Sequence, residues 1–186
     1  MLILASASPI RAQMLRDAGV EHRVLPADLD EAAVKGERPG DVALELAKAK
    51  ALAVVGEWVI GSDSIVTVAG RRFDKPASRE QAADHLRSFS GQEMVLTSAV
   101  ALAHDGAIDW AVSDSATLHV RSLSGAFIDE YLDAEWPDVG YCVGVFRLEG
   151  RGVQLFECIE GSHFTILGMP LLPLLGALRE RRIIPG

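Results

Sequence analysis

The chain has 186 residues, 49% of them apolar and 24% charged, the balance of a globular protein rather than a disordered or fibrous one. Its 18 Lys and Arg against 26 Asp and Glu leave a formal charge of −8, which disfavours broad binding to nucleic acid, a mode that rests on many cationic contacts to phosphate. No apolar run reaches the roughly 18 residues of a membrane span and no basic segment precedes Met1 to Ala5, so neither a membrane anchor nor a secretory signal is expected, and the cytoplasm is the expected compartment.

In chain order, the apolar run Leu2 to Ala5 predicts a strand, Ser6 to Ser8 a tight loop, and Pro9 onward a helix that carries Ile10, Met14, Leu15 and Ala18 on one face, with Ser8 as N-cap and Pro9 as first helical residue. A second helix is predicted over 40–55. The segment 58–68 (WVIGSDSIVTV) reads as a buried strand, followed by a short strand at 71–73. Ser78-x-x-Gln81 is a capping-box pattern that opens a helix with Ala82, Leu86 and Phe89 inward. Residues 94–103 and 108–120 flank Asp105-Gly106 as an antiparallel hairpin. Ser124 caps a helix with Phe127, Ile128, Tyr131 and Leu132; the Gly-rich stretch 136–152 reads as a functional loop or irregular strand, 154–159 as a strand, and a last helix follows Pro170. One domain over residues 1–186 is expected. Cys142 and Cys158 form no CxxC and have no His at ligand spacing, and the five His are scattered, so each His reads as surface or satisfied core and a zinc site is not expected.

Five places draw attention chemically. The loop Ser6 to Arg11 leads into a helix N-terminus, where backbone N–H groups and the helix dipole favour phosphate; two hydroxyls and one cation add to this, although strand-to-helix turns of small residues are common without a ligand. Asp63 lies inside an apolar strand, where an uncompensated carboxylate costs several kcal/mol, so it requires a cation, a metal or donors unless a bulge turns it to solvent. On the second helix Lys48 shares a face with Asp41 and Glu45, whereas Lys50 shares the apolar face of Ala43, Leu46, Ala47, Ala53 and Val54, either snorkelling at its edge or pointing to an anion. Lys75 precedes Pro76 in a loop, and Asp28, Asp30 and Glu31 form an acidic group that is either solvated or a source of oxygen ligands for a hard cation.

Taken in order, these pieces resemble the Maf family of nucleotide pyrophosphatases over the whole chain: LASASPIR at 4–11, Leu29-Asp30-Glu31, LAKAKA at 46–51, IGSDS at 60–64, Asp74-Lys75-Pro76, Ser90-Gly91, and Gly168-Met169-Pro170-Leu171. Each is short; seven with matching order and spacing are specific. The resemblance implies an α/β (α+β) fold of the Maf/ITPase-like type, a mixed, strongly curved sheet with flanking helices and a cleft between two lobes. It also implies a metal-dependent enzyme that cuts a nucleoside triphosphate into monophosphate and pyrophosphate. By position, Ser6, Arg11, Lys50 and Lys75 are then the phosphate contacts, Glu31 and Asp63 hold Mg²⁺ or Mn²⁺, and Asp63 is the proton acceptor. The nucleotide is the expected partner, with neither nucleic acid nor membrane, and a homodimer is left open.

Three departures from the family pattern bear on the substrate: Ile10 stands for the first Arg of SPRR, Ser64 for the Thr of the DT pair, and Glu149 for the usual Gln, within CVGVFRLEG at 142–150. This segment is similar to the Maf branch acting on 7-methyl-GTP, and Glu149 is the expected base contact; a solvent-facing loop glutamate is the bland alternative. Two rival readings stand beside it, a pyrimidine-type enzyme acting on dTTP or UTP and a nucleotide-binding regulator of cell division and septum formation.

Overall fold

The computed structural model describes residues 1–29, 36 and 38–186. It is a mixed α/β fold. Among the described residues the strands are β1 (Leu2–Leu4), β2 (Arg23–Val24), β3 (Trp58–Val68), β4 (Arg71–Phe73), β5 (Glu93–His104), β6 (Ala107–Val120) and β7 (Phe156–Glu160). They form one sheet in the order β2-β1-β3-β5-β6-β7, with β4 paired to β3 off that path. The pairings β1 with β2 and β1 with β3 are parallel, whereas β3 with β4 and β6 with β7 are antiparallel, so the sheet is mixed. The helices are α1 (Pro9–Asp17), α2 (Pro39–Leu52), α3 (Arg79–Phe89), α4 (Gly125–Glu135), α5 (His163–Ile166) and α6 (Leu171–Glu180). Among the described residues no helix is long and apolar enough to cross a membrane.

The chain divides into two compact units. The first comprises 1–64, 97–115 and 162–186, the second 65–96 and 116–161. In the first, β1, β3 and β5 supply Leu2, Leu4, Ile60, Val100 and Leu102 to a core completed by Met14 and Leu15 of α1 and by Leu171, Leu174 and Leu178 of α6. In the second, α3 packs on α4 and buries Leu86 and Phe89, with Phe73 of β4 edge-on to Phe89 at a centroid distance of 4.8 Å.

Most elements follow from local sequence. Ser8 is the N-cap residue of α1 and Pro9 its first residue, and the Asp105-Gly106 connection has φ of 48° and 79°, the positive pair a two-residue hairpin turn requires. Ser78 accepts from Gln81 N at 3.2 Å, but Gln81 Oε1 accepts from Ala77 N at 2.7 Å, one residue before the expected reciprocal partner.

Other expectations are corrected. The buried side of α1 is Arg11, Ala12, Met14 and Leu15; Ala18 is exposed, because the helix is turned so that Arg11 faces acceptors inside the fold. Helix α2 stops at Leu52, which leaves Ala53 outside the inward face and exposed. Of the two alternatives for 136–152, a loop or an irregular strand, the structure has the loop: short 3-10 turns occupy Asp138–Tyr141 and Arg151–Leu155, and Val145 lies at φ 55°, a left-handed conformation incompatible with continuing a strand. The second of these turns also delays β7 to Phe156. Strand β2 and the four-residue α5 carry too little pattern to be foreseen.

Candidate active site

Ser6, Arg11, Lys50 and Asp63 all belong to the first unit. Asp63 occupies the middle of β3, and Lys50 the last turn of α2; Lys50 Nζ donates to Asp63 Oδ1 at 2.7 Å, with side chains 12% and 10% exposed. The sequence required a partner for a carboxylate in this strand, and the cation from the apolar face of α2 supplies it. Two residues earlier, Lys48 pairs with Glu45 at 2.8 Å on the outer face, its side chain 31% exposed.

The close approach of α2 to β3 depends on Gly61. A Cβ there would lie 2.1 Å from Ala47 O and 2.5 Å from Ala51 N, inside the backbone of the helix turn that carries Lys50. Only a residue without a side chain lets the helix come near enough for an ammonium on one element to meet a carboxylate on the other.

Arg11 is buried and fully organised. Nε donates to Gly168 O at 2.8 Å, Nη1 to Ser6 Oγ at 3.1 Å and Ser62 O at 2.9 Å, and Nη2 to Ser64 Oγ at 2.9 Å. Its planar fork thereby ties the β1–α1 loop, β3 and the Gly168 segment together. Ser6 Oγ also accepts from Ser8 N at 3.3 Å; with two bonds accepted, what this hydroxyl has to offer a phosphate oxygen is its proton. Gly168 sits at φ +107°, and a Cβ there would meet Ser64 Oγ at 3.3 Å and Arg11 Nε at 3.4 Å. The glycine of GMPL is thus required both by its backbone conformation and by the guanidinium beside it.

Sequence reasoning missed the hydroxyl network behind these groups. Ser62 donates to Ala99 O and Gly168 O at 2.8 and 3.0 Å, Ser64 and Ser98 share a bond of 2.8 Å, and Ser98 donates to Thr165 O at 2.8 Å. The signal available was the pair of serines flanking Asp63 in an otherwise apolar strand: buried hydroxyls need partners, and their spacing of two puts both on one face of β3. Ser98 and Thr165 had no such signal, because their partners are distant in sequence.

Lys75 and Glu149 belong to the second unit and are both exposed. Both act electrostatically on Cys142: burial pushes its thiol up to about 11, the Glu149 carboxylate adds to this, and the cations of Arg147 and Lys75 oppose it. Arg147 bonds to Glu135 at 2.9 Å and pairs with Asp138 at 2.9 Å, and its own pKa is raised, first by the hydrogen bond to Glu135. Tyr131, its phenol raised far above the ordinary value by burial, donates to Val145 O at 3.0 Å. The loop that carries Glu149 is therefore anchored just ahead of it, by a phenol at Val145 and an ion pair at Arg147. Glu31 lies outside the described residues.

A family model described as Maf-like protein matches residues 1–181. The chain is 47% identical over 191 residues to the nucleoside triphosphate pyrophosphatase of Bradyrhizobium diazoefficiens, covering 98% of this chain and 95% of that protein. It is 45% identical over 195 residues to the 7-methyl-GTP pyrophosphatase of Rhizobium etli, covering 100% and 98%. Among solved structures it is similar to the Staphylococcus aureus Ham1 protein at 13% identity and a TM-score of 0.47, over 64% of this chain and 71% of that one.

Proposed function

The chain belongs to the Maf family, and from that premise we propose that it hydrolyses 7-methyl-GTP between the α and β phosphates, releasing the monophosphate and pyrophosphate and so keeping a modified nucleotide out of nucleic acids. The broader statement holds plainly: it is a nucleotide pyrophosphatase, a hydrolase of phosphoanhydride bonds. The proposed compartment is the cytoplasm.

The observation that carries the reading is the Lys50–Asp63 pair, a carboxylate and an ammonium 2.7 Å apart and nearly withdrawn from water. A fold has little structural reason to bury an ion pair, since its desolvation commonly cancels its attraction; a catalyst has one. Asp63 accepts the proton of the attacking water, and Lys50 stabilises negative charge on the phosphate oxygens as the bond to the leaving group breaks. Ser6 donates its hydroxyl proton to the same group and Arg11 adds a fixed charge at the first turn of α1; Lys75 is assigned to phosphate by its position in the family pattern.

The donor chemistry of Asp63 fits a hard dication, which takes carboxylate oxygens. Asp63 would hold Mg²⁺ or Mn²⁺ with Glu31, and the ion when bound supplies neutralisation of phosphate charge.

Glu149 is assigned to the base. An ionised Glu only accepts hydrogen bonds, and guanine offers N1–H and its 2-amino group side by side, whereas the Gln usual in the family offers one acceptor and one donor. Methylation at N7 makes the purine cationic and adds direct attraction to a carboxylate. The pyrimidine-type reading lacks this match, and a purely regulatory binder has no use for the buried base.

The test is pyrophosphate release from 7-methyl-GTP, GTP, dTTP and UTP with Mg²⁺ or Mn²⁺, repeated with excess chelator. The expected order puts 7-methyl-GTP highest in kcat/KM, with the preference narrowed about 10- to 100-fold in Glu149→Gln, the scale of losing charged hydrogen bonds. A preference for dTTP or UTP defeats the substrate assignment, and full activity in chelator defeats the metal.

A further inference from the structure

The second unit contains a group of ligating side chains that the nucleotide chemistry does not use. His119 on β6 and Cys158 and Glu160 on β7 place one nitrogen, one sulfur and one carboxylate oxygen all within 4.8 Å of one another. We propose that these three residues form a binding site for a thiophilic divalent cation, Zn²⁺ above all, separate from the Mg²⁺ or Mn²⁺ chemistry of Asp63.

The strand pairing creates the site. His119 lies opposite Cys158 and Thr117 opposite Glu160, so the antiparallel register puts His119, Cys158 and Glu160 on one face of the ribbon. The register slips between His119 and Val120, which pair with Cys158 and Phe156, a bulge of the kind that re-aims side chains at sheet edges. His119 Nε2 lies 3.2 Å from Glu160 Oε1, while Nδ1, on the other side of the ring, lies 3.7 Å from Glu93 Oε1 of β5. Nε2 thus faces the ligand group, and the Glu93 carboxylate, just outside hydrogen-bond reach on the Nδ1 side, is placed to fix the tautomer after a small side-chain rotation.

The donor set selects the ion. Thiolate with imidazole suits Zn²⁺, whereas Mg²⁺ takes oxygen ligands. Bonds of about 2.0–2.3 Å put the ligand atoms of a tetrahedral zinc roughly 3–4 Å apart, which side-chain rotation can reach from the present spacing. Three protein ligands leave the fourth position to water, and binding releases the Cys158 thiol proton to solvent. Among the described residues β7 is an edge strand held by β6 alone on the sheet path, so a bound ion would pin that edge.

The experiment titrates Co²⁺, a spectroscopic stand-in for Zn²⁺, into the metal-stripped chain and follows the thiolate-to-cobalt charge-transfer band, with Zn²⁺ competition and thermal melting in parallel. A saturable band at one equivalent is expected, lost in Cys158→Ser, with affinity lowered about 10-fold or more in His119→Gln and, through the outer carboxylate, in Glu93→Gln. Zn²⁺ should displace Co²⁺ and raise the melting temperature of the unaltered chain but not of Cys158→Ser. The absence of a Cys158-dependent band, or an affinity unchanged in His119→Gln, overturns the site. Mg²⁺-supported pyrophosphate release in Cys158→Ser should equal that of the unaltered chain; a parallel loss of this activity would overturn the separation of the two sites.

Discussion

Lys50 and Asp63 each lose most of their hydration in the fold and recover it from one another, so removing either leaves a charge with less compensation. Lys50→Ala should therefore do two things that Lys48→Ala does not: destabilise the protein, on the scale of about 3–5 kcal/mol for a broken buried pair, and lower kcat/KM through loss of a charged phosphate contact. Asp63→Asn keeps the shape and a hydrogen-bonding amide, so it should still fold, with some stability lost because the Lys50 ammonium no longer faces a carboxylate, and turnover should fall by at least about 100-fold. Melting curves and steady-state kinetics on the three variants check this together. Equal behaviour of the two lysine variants would mean that the inward face of α2 has been misassigned, and near-normal turnover in folded Asp63→Asn would remove it as the base.

At the scale of elements, the pairing exists because α2 can lie directly on β3. Gly61→Ala forces a methyl group into the backbone of the Ala47–Ala51 turn, a clash that no side-chain rotation relieves. Overpacking of this kind costs at least about 1–3 kcal/mol, and each kcal/mol lowers the melting point by about 2–4 °C for a chain of this length. Among the described residues nothing lies within 4 Å of the would-be Cβ of Gly176 in α6, so Gly176→Ala should raise stability by about 0.5–1 kcal/mol through reduced backbone entropy in the unfolded chain. Calorimetry on the two variants should thus give shifts of opposite sign; a neutral Gly61→Ala would show that the helix can retreat without consequence.

For the whole molecule, stability should carry a histidine signature. His85 stacks edge-on to Phe73 at 5.1 Å, and among the described residues its buried Nδ1 has no hydrogen-bond partner. Burial lowers its pKa from 6.5, with Asp84 and Asp74 opposing and Arg71 assisting. The folded state therefore prefers the neutral ring: its contribution is intact above about 6.5 and is lost as pH falls through the lower folded value. Urea midpoints should decline over that window, and His85→Leu should flatten the decline. An identical pH slope in the variant would assign the effect to other groups.

The sequence by itself determined the elements whose causes are local: the Ser8-Pro9 start of α1, the uninterrupted β3, the Asp105-Gly106 turn, the Ser78 and Ser124 caps, and the separation of Lys50 from Lys48 by helix geometry. It also indicated that Asp63 must find compensation, because burying a carboxylate is costly whatever surrounds it. Tertiary structure alone decided who compensates whom. That Lys50 is the partner of Asp63, that Arg11 turns inward onto Gly168 and two serines, and that His119 meets Cys158 depend on contacts across 13, 157 and 39 residues of chain. Such contacts have no periodicity to betray them; strand register and helix approach set them, and both are fixed only when the sheet assembles.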